Sequence, residues 1–291
     1  MKPFVLLCLF LLFSGCGDDM TNNNNGNTSP DFDIYLLNIN SSLRRFETYT
    51  VKSDGTNLNL FSDSLFVGAS SRQNKILMGN IDTTGYFISA IYSADYYGAN
   101  LVNIPLSIHY PVYFDLSPIG DKALFTTDEG NFLCIVNTNA TGLLKLSDGI
   151  RGTEVIPKFS PNGNLIAYFE APPSLETGLY ITNTSGTYKK LLKDSIFYDN
   201  GFTLDWSPDG SKIVYQNRIS NGNETKICII DTSGSGYSVI TDGWCPSWSP
   251  NGDKISFFVN VNQGVFDLFL MNPDGTGIIN ISNSISEYDN D

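Results

Sequence analysis

The chain has 291 residues, a formal net charge of −13, a single histidine and 41% hydrophobic residues. The acidic balance repels nucleic acid and anionic membrane surfaces, and one histidine excludes any metal site that needs two. The length and apolar content are sufficient for one all-β domain with a sizeable core.

Residues 1–15 begin Met1-Lys2-Pro3, continue through an apolar run at 4–13 and end on Ser14-Gly15. A positive start, a short apolar middle and small residues at the end read as an export signal, and the run is too short to span a bilayer. Cys16 follows at once. Phe13-Ser14-Gly15-Cys16 resembles a bacterial lipobox, which implies that Cys16 is lipidated and becomes the mature N-terminus. The other reading is ordinary cleavage that leaves a free thiol. Residues 16–30 are polar and asparagine-rich, with almost nothing to bury, and are expected to form a disordered tether. Asp18 and Asp19 resemble the acidic signal of some surface-exported lipoproteins and fit a solvated linker equally well.

From residue 31 to 291 one motif organises the chain. Trp206-Ser207-Pro208-Asp209-Gly210 recurs as Trp248-Ser249-Pro250-Asn251-Gly252, as Phe159-Ser160-Pro161-Asn162-Gly163 and more weakly as Leu116-Ser117-Pro118-Ile119-Gly120. Proline presets φ for the turn, the Asp or Asn side chain bonds its own backbone, and glycine supplies positive φ. Alternating apolar residues such as Ile213 and Tyr215 follow, which makes each copy an antiparallel hairpin. The turn serine returns about every 45 residues, with degenerate copies at Ser71 and Ser29. Each unit continues into a second glycine turn, as in Asn272-Pro273-Asp274-Gly275, and a short closing strand. Six such units predict a six-bladed β-propeller of four-stranded antiparallel blades, with almost no helix. Polyasparagine precedes Ser29 and makes a poor inner strand. Residues 285–288 lie where a further inner strand should begin, so the C-terminus is expected to complete the first blade.

Across residues 29–291 the units resemble the propeller repeats of the TolB family, which also occur in the propeller domains of prolyl oligopeptidases. TolB carries an α/β domain ahead of its propeller; here a short polar segment stands in that place. There is no Gly-x-Ser-x-Gly elbow, and His109 has no second histidine to work with. No cofactor motif is present, and no cysteine spacing fits zinc. Asp31/Asp33 and Asp289/Asp291 offer oxygen ligands of the kind calcium takes, but read as solvated termini. Cys134 and Cys228 share a repeat position with Tyr180, Phe269 and Tyr49 and are expected to be buried and unpaired; Cys245 stands alone. Phe159, Trp206 and Trp248 read as core between blades rather than as sugar platforms.

Propeller topology places the binding candidates upstream of the inner strands, at the channel mouth: His109, Tyr110, Tyr113, Arg151, Glu154, Tyr198, Asp199, Asn200 and Trp244. The chain therefore reads as a non-enzymatic outer-membrane lipoprotein of the bacterial cell envelope, periplasmic or surface-exposed. It would bind a protein or peptide and touch the membrane through its N-terminal lipid only. The alternatives are a carbohydrate-binding or polysaccharide-degrading (lyase or hydrolase) propeller, and a structural partner in an envelope complex.

Overall fold

The computed structural model describes residues 12–13, 33–40, 45–52, 59–62, 65–70, 75–81, 88–95, 100–104, 111–127, 132–147, 157–170, 177–197, 203–218, 225–262 and 265–282. All secondary structure among them is β, arranged in six four-stranded antiparallel sheets whose strands follow chain order. The first sheet joins β1 (Leu12–Phe13), β2 (Asp33–Asn40), β3 (Arg45–Lys52) and β4 (Asn59–Ser62). The second joins β5 (Leu65–Ser70), β6 (Lys75–Ile81), β7 (Ile88–Asp95) and β8 (Val102–Ile104). The third joins β9 (Pro111–Leu116), β10 (Lys122–Thr127), β11 (Leu133–Asn137) and β12 (Leu144–Lys145). The fourth joins β13 (Lys158–Phe159), β14 (Leu165–Glu170), β15 (Gly178–Asn183) and β16 (Lys189–Lys193). The fifth joins β17 (Leu204–Trp206), β18 (Lys212–Arg218), β19 (Thr225–Asp231) and β20 (Ser238–Asp242). The sixth joins β21 (Trp244–Trp248), β22 (Ile255–Asn262), β23 (Val265–Met271) and β24 (Ile279–Asn280).

The chain divides into two compact units, residues 1–123 with 136–143, and residues 124–135 with 144–291. In the first, Ile76, Leu77, Met78, Ile91 and Ala94 are buried, and the Ser93 hydroxyl donates to the Thr138 carbonyl at 2.8 Å. In the second, the core lies between successive sheets, because the period of two along a strand buries both faces. On β18, Ile213 and Tyr215 join a cluster with Tyr168, Phe169 and Leu179 of the fourth sheet. Val214 points the other way, into a cluster with Ile255, Phe257 and Met271 of the sixth. Each such side chain contributes about 1.5–3 kcal/mol on full burial. Cys134 and Cys228 are buried free thiols, as expected, and burial pushes each up to about 11.

The repeated turn explains how the sheets are spaced. The Ser207 N–H donates to the Lys212 carbonyl at 2.9 Å and the Gly210 N–H to the Ser207 carbonyl at 2.8 Å. The Ser207 hydroxyl accepts the Lys212 N–H at 2.9 Å and donates to Asp209 Oδ1 at 2.6 Å. That bond and those from Ser211 hold the Asp209 carboxyl below its ordinary range. Gly210 has φ of 72°, where a Cβ is strained. A Cβ on it would also meet Pro161 of the preceding sheet at 3.8 Å, and one on Gly252 would meet Pro208 at 3.5 Å. Turn glycine therefore stacks on turn proline from sheet to sheet. At the outer edges, the register shifts between β15 and β16 and between β19 and β20, and Lys189, Lys190 and Lys193 lie along β16. Bulges and lysines are the usual protection of an open edge.

One pairing differs from the expectation. β1 lies against β2, with Leu12 opposite Tyr35 and Phe13 opposite Ile34, on the edge that the repeat pattern assigns to residues 285–288. An apolar dipeptide there meets backbone groups that an open edge leaves unpaired. Residues 283–291 lie outside the described residues, as do Cys16 and the tether at 16–30.

Candidate functional site

The inner strand of the sixth sheet starts on a buried glycine and a bulge. Gly243, immediately before it, is buried with φ of 153°, and its N–H donates to the Thr225 carbonyl at 2.9 Å. Cys245 has φ of 51°, a left-handed conformation that costs a non-glycine residue about 1–2 kcal/mol. Trp244 opposes Phe258 and Ser247 opposes Ser256, so β21 carries one extra residue against β22. Pro246, with no N–H to pair, falls inside this bulge.

A buried amide holds the bulge in place. Gln216 of β18 is 4% exposed. Its Oε1 accepts the Cys245 N–H at 2.9 Å and the Thr203 hydroxyl at 2.9 Å. The bulge sets Trp244 edge-on to Phe266, with ring centroids 5.6 Å apart and planes at 85°. Both rings are half-buried. This leaves a partly exposed indole on strained backbone, fixed from a neighbouring sheet.

Further along the inner strands a polar row crosses three sheets at Lys158, Asp205 and Ser247, each two residues before a turn serine. Asp205 Oδ2 accepts the Trp248 N–H at 2.8 Å and the Ser247 hydroxyl at 2.9 Å, and Oδ1 accepts the Trp206 N–H at 3.1 Å. The Trp206 indole N–H donates to the Lys158 carbonyl at 3.1 Å. Burial raises the Asp205 carboxyl above its ordinary value, against the opposing pull of the Lys158 charge and of the three donors. Among the described residues, no three His, Cys, Asp or Glu side chains converge as they would around a metal ion.

No protein-family model matches the chain, and no curated protein matches it by sequence. In structure it is similar to TolB from Acinetobacter baumannii, at 20% identity and a TM-score of 0.63, over 84% of this chain and 62% of that one. The chain thus spans less than two thirds of the length of that TolB. It is also similar to an oligogalacturonate lyase in complex with manganese, at 11% identity and a TM-score of 0.60, over 83% of this chain and 82% of that one. A chain of a nidogen/laminin complex matches at 11% identity and a TM-score of 0.55, over 82% of this chain and 89% of that one. The fold is that of a TolB-like β-propeller.

Of the channel-mouth candidates, Trp244 is the residue on the bulge just described. Tyr113 lies within β9. His109, Tyr110, Arg151, Glu154, Tyr198, Asp199 and Asn200 lie outside the described residues. Phe159 and Trp206 are buried between sheets, and Trp248 packs partly buried against the second core cluster, as the repeat phase implies. Gln216 and Asp205 are additions from the structure. Gln216 was findable, since Phe169 and Phe258 stand at its place in the neighbouring copies.

The Asp205 carboxyl gives the propeller a pH signature. Its folded value lies above the unfolded one. The stability linked to it is therefore complete below the unfolded value and is lost as pH rises through the folded one. Asp205→Asn keeps most of the acceptor geometry without the charge. Its melting temperature relative to the parent chain is expected to climb as pH rises above the ordinary carboxylate range. A difference that stays flat or falls as pH rises would contradict the assignment. Asp205→Ala, which leaves the Trp248 and Ser247 donors unpaired, is expected to cost about 2–3 kcal/mol where the parent carboxyl is protonated, and less as pH rises.

Proposed function

We propose that this propeller is a non-enzymatic scaffold of the bacterial cell envelope that binds a protein or peptide partner at the end of the inner strands marked by Trp244. The observation that carries this reading is the Trp244–Phe266 pair, held on the strained bulge by Gln216. Large amphipathic rings on rigid backbone are the residues that dominate protein interfaces. The nidogen/laminin complex, in which a chain of similar fold occurs, is in keeping with it. The leader-like residues 1–15 and the lipobox-like Cys16 support a lipid-anchored outer-membrane location, periplasmic or surface-exposed.

The test is a pull-down from envelope extract with the lipid-free chain, read by mass spectrometry beside the Trp244→Ala variant. A partner recovered by the first and lost by the second is the expected result. No protein recovered, together with retention on a glycan array, would replace this reading with carbohydrate recognition or with lyase or hydrolase action on a polysaccharide.

The same proposal includes a closed ring of six blades. Once the leader is removed at Cys16, β1 is gone, and residues 285–288 take its place on β2. Deleting residues 284–291 from the mature chain is then expected to lower the melting temperature by about 10 °C or more. An unchanged melt would rule out this closure.

A further inference from the structure

The turn after the inner strand reads Ser-Pro-Asn-Gly in the fourth and sixth sheets and Ser-Pro-Asp-Gly in the fifth. An Asn-Gly step is open to self-modification, because glycine has no Cβ to shield its backbone nitrogen. That nitrogen attacks the asparagine Cγ, the new N–Cγ bond closes a cyclic imide, and the side-chain nitrogen leaves as ammonia with the glycine amide proton. Water then opens the imide at either carbonyl. One opening leaves aspartate, and the other leaves isoaspartate, with the main chain rerouted through Cγ. The net reaction consumes water and releases ammonia, and it needs no enzyme and no oxidant.

The repeat places two such steps in the same turn. Asn162 and Asn251 are both exposed, and Gly163 and Gly252 have φ of 73° and 79°. The Gly163 N–H donates to the Ser160 carbonyl at 2.8 Å, and the Gly252 N–H to the Ser249 carbonyl at 2.9 Å. Each attacking nitrogen must leave the same bond, so the backbone does not separate the two.

The side chains do. Asn162 Oδ1 accepts the Ser160 hydroxyl at 2.9 Å and the Asn164 N–H at 3.0 Å. In the fifth sheet Asp209 takes the corresponding bonds from Ser207 and Ser211. In the sixth, the residue after the glycine is Asp253, and its Oδ1 accepts the Ser249 hydroxyl at 3.1 Å. A serine hydroxyl has one proton to give, so the bond that pins Asn162 is not made to Asn251. The third sheet shows the same exchange, with Ser117 donating to Asp121 at 2.7 Å, but its turn carries Ile119, which has no amide to lose.

We propose that Asn251 is a site of spontaneous deamidation, an exposed and unpinned amide on a glycine step, and that the same step at Asn162 is protected by its hydrogen bonds. The aspartyl product puts at residue 251 the side chain that the fifth sheet already carries at Asp209. The isoaspartyl product adds a backbone methylene just ahead of Gly252. A Cβ on Gly252 would lie 3.5 Å from Pro208 of the fifth sheet, so that product acts on the seam between the two sheets. This chemistry does not depend on the partner proposed above.

The test is peptide mapping of the full chain aged in mildly alkaline buffer. Mass spectrometry follows the amide-to-acid mass gain, and an isoaspartyl methyltransferase reports the rerouted product. Asn251 is expected to convert about tenfold faster than Asn162, the factor that the loss of a hydrogen bond or two at the reacting amide implies. In urea the two rates are expected to converge. Asp253→Asn, which installs the fourth sheet's residue, is expected to slow conversion at Asn251, and Asn164→Asp to speed it at Asn162. Equal rates in the folded chain, a difference that persists unchanged in urea, or exchanged residues that leave both rates as they were would overturn the assignment.

Discussion

Trp206→Ala is expected to destabilise the chain by about 3–5 kcal/mol, the range for losing a large aromatic side chain from a core. Trp206 is 5% exposed and belongs to the cluster that joins the fourth and fifth sheets. Its removal opens a cavity in that seam and leaves the Lys158 carbonyl without its indole donor. Trp206→Phe separates the two losses. It keeps most of the ring and removes the N–H, and is expected to cost about 1 kcal/mol. Urea unfolding checks both: the midpoint should fall in that order while the slope is unchanged. A loss under about 1 kcal/mol for the alanine variant would mean that the motif tryptophan does not hold the seam.

Gly243→Ala is expected to cost about 2–4 kcal/mol, from strained backbone together with overpacking. The added Cβ would lie 2.7 Å from the Phe257 ring, 2.9 Å from the Phe258 carbonyl and 3.3 Å from Ile227. The carbonyl belongs to the β21–β22 pairing and cannot move without disturbing it. The strain falls next to Trp244, so the variant should also lose partner capture in the pull-down. Cys245→Gly, which removes the left-handed penalty one residue further on, is the opposing control and should be neutral or stabilising. A Gly243→Ala chain as stable as its parent would show that the bulge does not depend on this glycine.

The parts of the fold that were legible in the sequence are those set by local chemistry. The Ser-Pro-Asp-Gly turn carries its own geometry in Pro208, Asp209 and Gly210, and its recurrence is enough to count the units. Cys134 and Cys228 could be assigned to the core because Tyr180 and Phe269 hold their place in other copies. The parts that were not legible depend on which side chain faces which across a seam. Trp206 and Trp248 sit in nearly identical motifs, yet one indole finds a backbone carbonyl and the other does not. The bond from Gln216 to Cys245 spans two sheets and 29 residues, so no periodicity within one strand announces it. Trp244 is a candidate from topology alone, and the strain beneath it shows only in the backbone angles.

The central proposal is a ring of sheets closed by the C-terminus. Native-state hydrogen exchange on the chain beginning at Cys16 tests it most directly. The backbone amides of residues 285–288 are expected to exchange as slowly as those of β17 and β21, as the proposed pairing with β2 requires. Exchange at the rate of an unstructured peptide would contradict a ring closed by the C-terminus and leave the edge of β2 open.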